Sequence, residues 1–158
     1  MSTGVVVLAL AVSLALGVGL WRAATDGRFR KRHGATSATA ASTTTASAAA
    51  ATSPAAELVD QLGASLGERA TLLQFSSAFC APCRATRTVL TDVSGLVEGV
   101  THVEVDAEEH LAATRALGIL RTPTTLVLDA SGMEVTRAGG APTRDQVLAA
   151  IARVGTQA

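Results

Sequence analysis

The two cysteines of this 158-residue chain lie three positions apart, in the sequence FCAPCR at residues 79–84. A disulfide between them would close so short a loop that it could constrain little of the unfolded chain, so a purely structural crosslink explains the pair poorly. Thiol chemistry is the better explanation. A structural zinc site would need four ligands, but His33 lies in a different segment, and His102 and His110 lack ligand-pair spacing. We therefore predict no metal and no other cofactor.

The cysteines lie where a predicted strand ends and a predicted helix begins. The apolar run TLLQFSS is typical of a buried strand, and helical spacing of apolar residues follows the cysteines. Backbone N–H groups at the start of a helix are unpaired, and their partial positive charge stabilises a thiolate. We therefore predict that Cys80 is the activated thiol and that Cys83, one turn later, is close enough to bond to it. Pro82 fits the first helical turn, where no N–H is needed.

The chain from residue 55 alternates between helical and strand patterns. The order is helix, strand, helix, strand, helix, hairpin, helix, which predicts an α/β fold with a mixed central sheet of four or five strands and helices on both faces. The first of these helices is predicted to end at Gly67, and the third to begin with the acidic pair Glu108 and Glu109. Thr143 and Gln146 have the spacing of a capping box at the start of the last helix.

The N-terminal segment has the composition of a single membrane span. Residues 1–4 are predicted to be a tail and residues 5–21 a transmembrane helix, because no charge interrupts the apolar run before Trp21. Residues 22–32 form a basic segment that would contact anionic lipid headgroups, and we assign it no nucleic-acid partner. Basic residues after the span place the C-terminal domain in the cytoplasm, so the prediction is a single-pass protein of the cell membrane. A cleaved signal peptide is the alternative.

The segment between the span and the domain differs in composition from both. Residues 33–54 are rich in Ala, Ser and Thr and contain no large apolar side chain, so they are predicted to be a disordered linker. The domain itself is predicted to cover residues 55–158. A glycosylated extracytoplasmic stalk would have a similar composition to the linker, and it is the main argument for the opposite membrane orientation.

Three motifs make the region from about residue 55 to 154 resemble the thioredoxin-like family: FCAPCR after a buried strand, RTPTTLVL, and GGAPTRDQV before the last helix. The resemblance implies a thioredoxin-like fold in which a cis Thr122–Pro123 peptide bond faces the cysteines. It also implies that Thr122 and Pro123, with Phe79, Ala81 and Pro82, bind an extended substrate segment. The implied partners are disulfide-containing protein substrates and an upstream electron donor.

The sequence departs from the family pattern at the two positions that flank Cys80 and at one position on the preceding strand. Phe79 and Ala81 stand where the family usually has tryptophan and glycine. Gln74 replaces a buried aspartate that helps to deprotonate the second cysteine, and an amide cannot accept that proton. We therefore name His102, which aligns near the missing aspartate and titrates close to neutral pH, as a possible proton acceptor.

The function that follows is thiol–disulfide exchange by a membrane-tethered oxidoreductase. Cys80 would attack a substrate disulfide and Cys83 would release the reduced product, with net reduction of protein or small-molecule disulfides in a reducing compartment. Two alternatives remain open. One is a thioredoxin-fold adaptor without catalysis, and the other is an extracytoplasmic disulfide reductase with the reverse membrane orientation.

Overall fold

The computed structural model describes residues 3–25, 27–31 and 53–155. These residues form five helices and five strands. The helices are α1 (Thr3–Thr25), α2 (Pro54–Gln61), α3 (Ala81–Leu96), α4 (Leu111–Ala116) and α5 (Arg144–Val154). The strands are β1 (Phe29–Lys31), β2 (Ala70–Ser76), β3 (Val100–Asp106), β4 (Thr124–Leu128) and β5 (Glu134–Gly139).

The strands form one mixed sheet in the order β1-β5-β4-β2-β3. Strands β2 and β3 are parallel, and the other neighbouring pairs are antiparallel. Every residue of β2 is buried, because β2 lies between two strands and both of its faces are covered. The predicted mixed sheet of the thioredoxin-like fold, with helices on both faces, is confirmed.

Apolar side chains form one buried cluster on each face of the sheet. One cluster joins α2 and the region of α4 to alternate residues of the strands, with Phe75 and Leu126 fully buried at its centre. The other cluster joins α3 and α5 to the intervening strand residues, including Leu72 and Val127. Successive strand residues face opposite sides of the sheet. Polar side chains of β2 and β3 on the same face as this second cluster therefore point towards α3.

Strand β1 is an element that the sequence did not predict, since residues 22–32 were assigned only to a basic juxtamembrane segment. Phe29 packs against the α3–α5 cluster, and the Thr136 hydroxyl donates a 2.9 Å hydrogen bond to the carbonyl of Arg30. The Gly27 amide donates to the carbonyl of Gly139 at 2.9 Å. A three-residue strand with one apolar side chain has no detectable period, which explains the omission. The sheet therefore contains sequence from both sides of the predicted linker.

Several predicted boundaries shift in the structure. Most of the predicted linker lies outside the described residues, but Ser53 is the N-cap of α2, where its hydroxyl accepts from the Ala56 amide. Helix α2 stops before the predicted Gly67, because Gly63 adopts a φ of 66° and its amide bonds back to the carbonyl of Asp60. The acidic pair precedes α4 as a turn and does not start the helix. The capping box of α5 is confirmed.

Helix α1 contains a stretch that is long and apolar enough to cross a membrane. Among the described residues, the window from Gly4 to Trp21 has a mean hydropathy of 2.4 and none of it is buried. A signal sequence near the N-terminus passes the same test of length and composition. The structure thus supplies one candidate span of 18 residues among those it describes.

Replacing Gly27 with valine should detach β1 from the sheet. A Cβ atom at Gly27 would lie 2.3 Å from the carbonyl oxygen of Ala141, and the φ of 76° is unfavourable for a β-branched residue. We expect amide hydrogen exchange in β1 to accelerate by about tenfold or more. Gly95→Val is the matched control, because a Cβ there meets no atom within 4 Å. Unchanged exchange in Gly27→Val would contradict the observed pairing of β1.

Candidate active site

The two cysteines are joined by a disulfide at the N-terminus of α3, with their Cα atoms 5.2 Å apart. Cys80 is the N-cap residue, and its Sγ accepts a 3.2 Å hydrogen bond from the amide of Cys83. Cys83 is buried, with 2% of its surface exposed, whereas Cys80 is partly exposed. Only the first sulfur can therefore be reached by a large substrate, and a backbone donor is aimed at it. This geometry can stabilise a thiolate on Cys80.

The predicted substrate-binding residues beside Cys80 lie at the surface. Phe79 is 98% exposed, and Ala81 and Pro82 are also exposed. The carbonyl of Pro82 accepts a 3.0 Å hydrogen bond from the buried Thr86 hydroxyl one turn later. This hydrogen bond helps to fix the first turn of α3. The apolar side chains around the disulfide remain open to a partner.

The Thr122–Pro123 peptide bond is cis, as the resemblance implied, and its segment lies next to the loop that carries the cysteines. The hydroxyls of Thr122 and Ser77 are 3.1 Å apart, and Ser77 immediately follows β2. The Pro123 carbonyl accepts a 2.7 Å hydrogen bond from the amide of Gly140. Three chain segments are thus held together at one end of the sheet, which we call the dithiol end: residues 77–83, 120–123 and 139–142.

Gln74 lies under α3 and is fully buried. Its side-chain nitrogen donates to the backbone carbonyl of Cys83 at 3.1 Å, and its side-chain oxygen is 3.2 Å from Nε2 of His102. Since the Gln74 oxygen is an acceptor, His102 carries its proton on Nε2, and Nδ1 then accepts from the Thr91 hydroxyl at 3.2 Å. The sequence-predicted His102 is therefore linked through Gln74 to the backbone carbonyl of Cys83, and both of its ring nitrogens have hydrogen-bond partners.

Glu104 also contacts this group, although it was not among the predicted site residues. Its carboxylate accepts from the Ser76 hydroxyl at 2.7 Å, from the Arg87 guanidinium at 2.7 Å, and from the Gln74 side-chain nitrogen at 3.5 Å. It lies directly opposite Gln74 in the β2–β3 register. The alternation of THVEVDA could have placed Glu104 on the same face as His102. Identifying Arg87 as its partner required the position of α3 over the sheet.

The environment shifts the pKa values of both titratable groups that touch Gln74. Burial lowers the pKa of His102, and the nearby positive charge of Arg87 adds to this effect, while the charge of Glu104 partly opposes it. Partial burial of Glu104 acts to raise its pKa, but hydrogen bonds from Arg87 and Ser76 and the Arg87 charge outweigh it. The net result is a lowered pKa for Glu104. At neutral pH, His102 is therefore neutral and Glu104 is ionised.

The described residues contain no group of three or more His, Cys, Asp and Glu side chains placed to hold a metal ion.

Comparison with known proteins agrees with this geometry. A family model described as a thioredoxin-like domain matches residues 63–155. A mutant thioredoxin from Halobacterium salinarum is a similar solved structure, with 21% identity, a TM-score of 0.51, and coverage of 55% of this chain and 75% of that chain. A comparison with curated proteins gave no match.

Two further thioredoxins of known structure share the fold. Fasciola hepatica thioredoxin has 22% identity and a TM-score of 0.50, with coverage of 61% of this chain and 88% of that chain. A reduced Schistosoma mansoni thioredoxin has 19% identity and a TM-score of 0.51, with coverage of 62% and 87%. At these identities the structures establish the fold, and the family match covers more than half of the chain. The chain belongs to the thioredoxin-like domain family.

Proposed function

We propose that the chain is a membrane-tethered thiol–disulfide oxidoreductase that reduces disulfides of protein substrates. The observation that carries this proposal is the Cys80–Cys83 disulfide at the start of α3 in a thioredoxin-like domain, with the first sulfur accessible and the second buried. A dithiol in this arrangement attacks with its exposed sulfur and resolves with its protected one. An upstream dithiol donor would return the observed disulfide to the reduced form.

The exchange transfers two electrons from the domain to the substrate. The Cys80 thiolate attacks one sulfur of the substrate disulfide, forms a mixed disulfide and releases the other substrate sulfur as a thiolate that takes up a proton. Deprotonated Cys83 then attacks Sγ of Cys80 and releases the second substrate thiol. The backbone of Thr122, beside cis-Pro123, would bind the substrate segment as an added strand while Phe79, Ala81 and Pro82 contact its side chains.

We propose His102 as the proton acceptor for Cys83. His102 and Glu104 are the two titratable groups that contact Gln74, and the low pKa of Glu104 makes its carboxylate a poor base. His102 is neutral at pH 7 because its own pKa is lowered, so it can accept a proton there. The proton would be taken up at Nδ1, the nitrogen that carries none in neutral His102, and water would carry it there, because Gln74 contacts the backbone carbonyl of Cys83 and an amide cannot relay a proton.

Substitution of His102 should change the pH dependence of disulfide reduction. Because the neutral imidazole is the active form, the wild-type rate should rise as the pH passes upward through the lowered His102 pKa, below 6.5. In His102→Gln this rise should disappear, and the rate at pH 7 should fall by about tenfold or more. Thr91→Val is the control, since it removes only the Nδ1 hydrogen bond and keeps the base. An unchanged pH profile in His102→Gln would exclude the proposed role.

The membrane attachment and its orientation are separate parts of the proposal. The apolar window of α1 supports a single span, and the basic residues after it favour a cytoplasmic domain. Lipid contact through residues 5–32 follows from that arrangement. Alkylation of the reduced cysteines by a membrane-impermeant reagent tests the orientation in intact cells. Protection until the membrane is permeabilised supports the cytoplasmic side, and immediate labelling supports the extracytoplasmic alternative.

The adaptor alternative predicts binding without turnover. Reduction of a soluble disulfide protein by the reduced full chain separates the two functions, because an adaptor would not consume substrate disulfides. The accessible position of Cys80 favours catalysis over the adaptor function.

A further inference from the structure

Helix α1 is joined to the sheet by a very short connection. The helix ends at Thr25, and two residues later the Gly27 amide donates to the carbonyl of Gly139 at 2.9 Å. Two residues of extended chain span at most about 7 Å. The end of α1 must therefore lie beside Gly139. The Ala/Ser/Thr-rich segment follows β1 in the chain, so it does not separate the sheet from the candidate membrane span.

Gly139 belongs to the same end of the sheet as the cysteines. It pairs with Thr124 in the β4–β5 register, and the next amide, that of Gly140, bonds to the carbonyl of Pro123. Neighbouring strands lie about 4.8 Å apart, so Gly27 and Pro123, which flank β5, are separated by about 10 Å. The β4–β5 hairpin turn, at the opposite end, points away from α1. The membrane helix thus leaves the domain at its dithiol end.

The surface around this junction suits a position beside a membrane. Arg28, just before β1, and Arg30, within it, are exposed, and anionic headgroups would attract them. Phe79 and Leu120, on two loops of the dithiol end, are 98% and 95% exposed. Both side chains are available to contact a partner that approaches the dithiol. That partner must reach the dithiol in the space next to the lipid surface.

We propose that the substrate is a membrane protein whose disulfide lies in a segment directly adjacent to the membrane. This inference rests on the proposed function, because it requires both the span and the exchange reaction. A connection of a few residues holds the reduced Cys80 at a fixed small height, so the effective concentration of the dithiol is highest close to the bilayer. The two electrons pass from the dithiol to the substrate disulfide, which becomes two thiols as Cys80 and Cys83 form their disulfide.

The test uses the full chain, reduced and reconstituted into vesicles that contain anionic lipid. One substrate is a transmembrane peptide with its disulfide loop within about five residues of the span, and a second carries the same loop on a long flexible spacer. A soluble peptide with the same loop is the third. A 12-residue Gly/Ser insertion between Asp26 and Gly27 releases the domain from its fixed height. The same insertion after Ala40 is the matched control, because Ala40 lies between β1 and α2.

We expect the insertion before Gly27 to slow reduction of the membrane-adjacent loop by about fivefold, since the dithiol then samples a larger volume. The rate with the soluble peptide should not change, and the insertion after Ala40 should alter neither rate. Equal rates on the membrane-adjacent loop for both insertions would overturn the inference, as would faster reduction of the loop on the long spacer by the intact chain.

Failure of the underlying function gives different results. If the intact chain does not reduce the soluble peptide, the exchange reaction is wrong and the inference falls with it. If the chain does not float with the vesicles but still reduces the soluble peptide, the membrane span is wrong and the inference is again overturned. Reduction of the soluble peptide, vesicle flotation and equal rates for the two insertions together would reject the substrate class alone.

Discussion

Replacing Cys80 with serine should abolish disulfide reduction, with a loss of at least about a thousandfold. A serine hydroxyl at the N-cap is not ionised at neutral pH, so the backbone donor that faces Sγ of Cys80 would have no thiolate to stabilise. The fold should survive, because a disulfide that closes so short a loop contributes little to stability. The measurement is single-turnover reduction of a soluble disulfide protein by the reduced full chain.

Cys83→Ser is the control that separates attack from resolution. In this variant the Cys80 thiol can still form the mixed disulfide, but the serine at the buried position 83 cannot release the product. We expect a covalent complex with the substrate to accumulate in Cys83→Ser and to be absent from Cys80→Ser. The opposite pattern would assign the attack to Cys83. Equal activity in both variants would show that the pair is not the reaction centre.

The elements with strong local patterns could be predicted from the sequence. Strand β2 was visible as an apolar run because it is buried on both faces, and α3 followed it with helical spacing. The position of Cys80 at the start of α3 followed from that boundary alone. The capping box at Thr143 was equally local, because its two partners lie three residues apart. The fold class and the placement of the dithiol therefore required no tertiary information.

The remaining features depend on contacts between distant parts of the chain. Strand β1 is held by β5, about 100 residues later, and one apolar residue in three gives no period to detect. The role of Glu104 depends on α3, which brings Arg87 over β3. The sequence also suggested a flexible tether between span and domain, but the pairing of Gly27 with Gly139 places the sheet next to α1. Such features are properties of tertiary structure.

Introducing the aspartate that the family usually has, as Gln74→Asp, should destabilise this protein. The side chain of Gln74 is fully buried, and the Glu104 carboxylate lies 3.5 Å from its nitrogen. An aspartate would place a second negative charge beside Glu104 and would remove the donor to the carbonyl of Cys83. Burial and the Glu104 charge would both raise the pKa of the new carboxyl group. In this chain the uncharged side chain of Gln74 donates to the Glu104 carboxylate on the neighbouring strand, so the charge is already present there.

The sign of the pH dependence makes this prediction specific. A raised pKa in the folded state means that stability is lost as the pH rises above the unfolded value of about 3.9. Gln74→Asn is the control, because it has the same length as aspartate without the charge. Protonated His102 would offset part of the cost at low pH, so the comparison is sharpest at pH 8. There, urea unfolding of the oxidised full chain in detergent should show Gln74→Asp less stable than Gln74→Asn by about 3 kcal/mol. Equal stability at pH 8 would mean that the Glu104 carboxylate does not face residue 74, and that the polar group beneath α3 can accept a second buried charge.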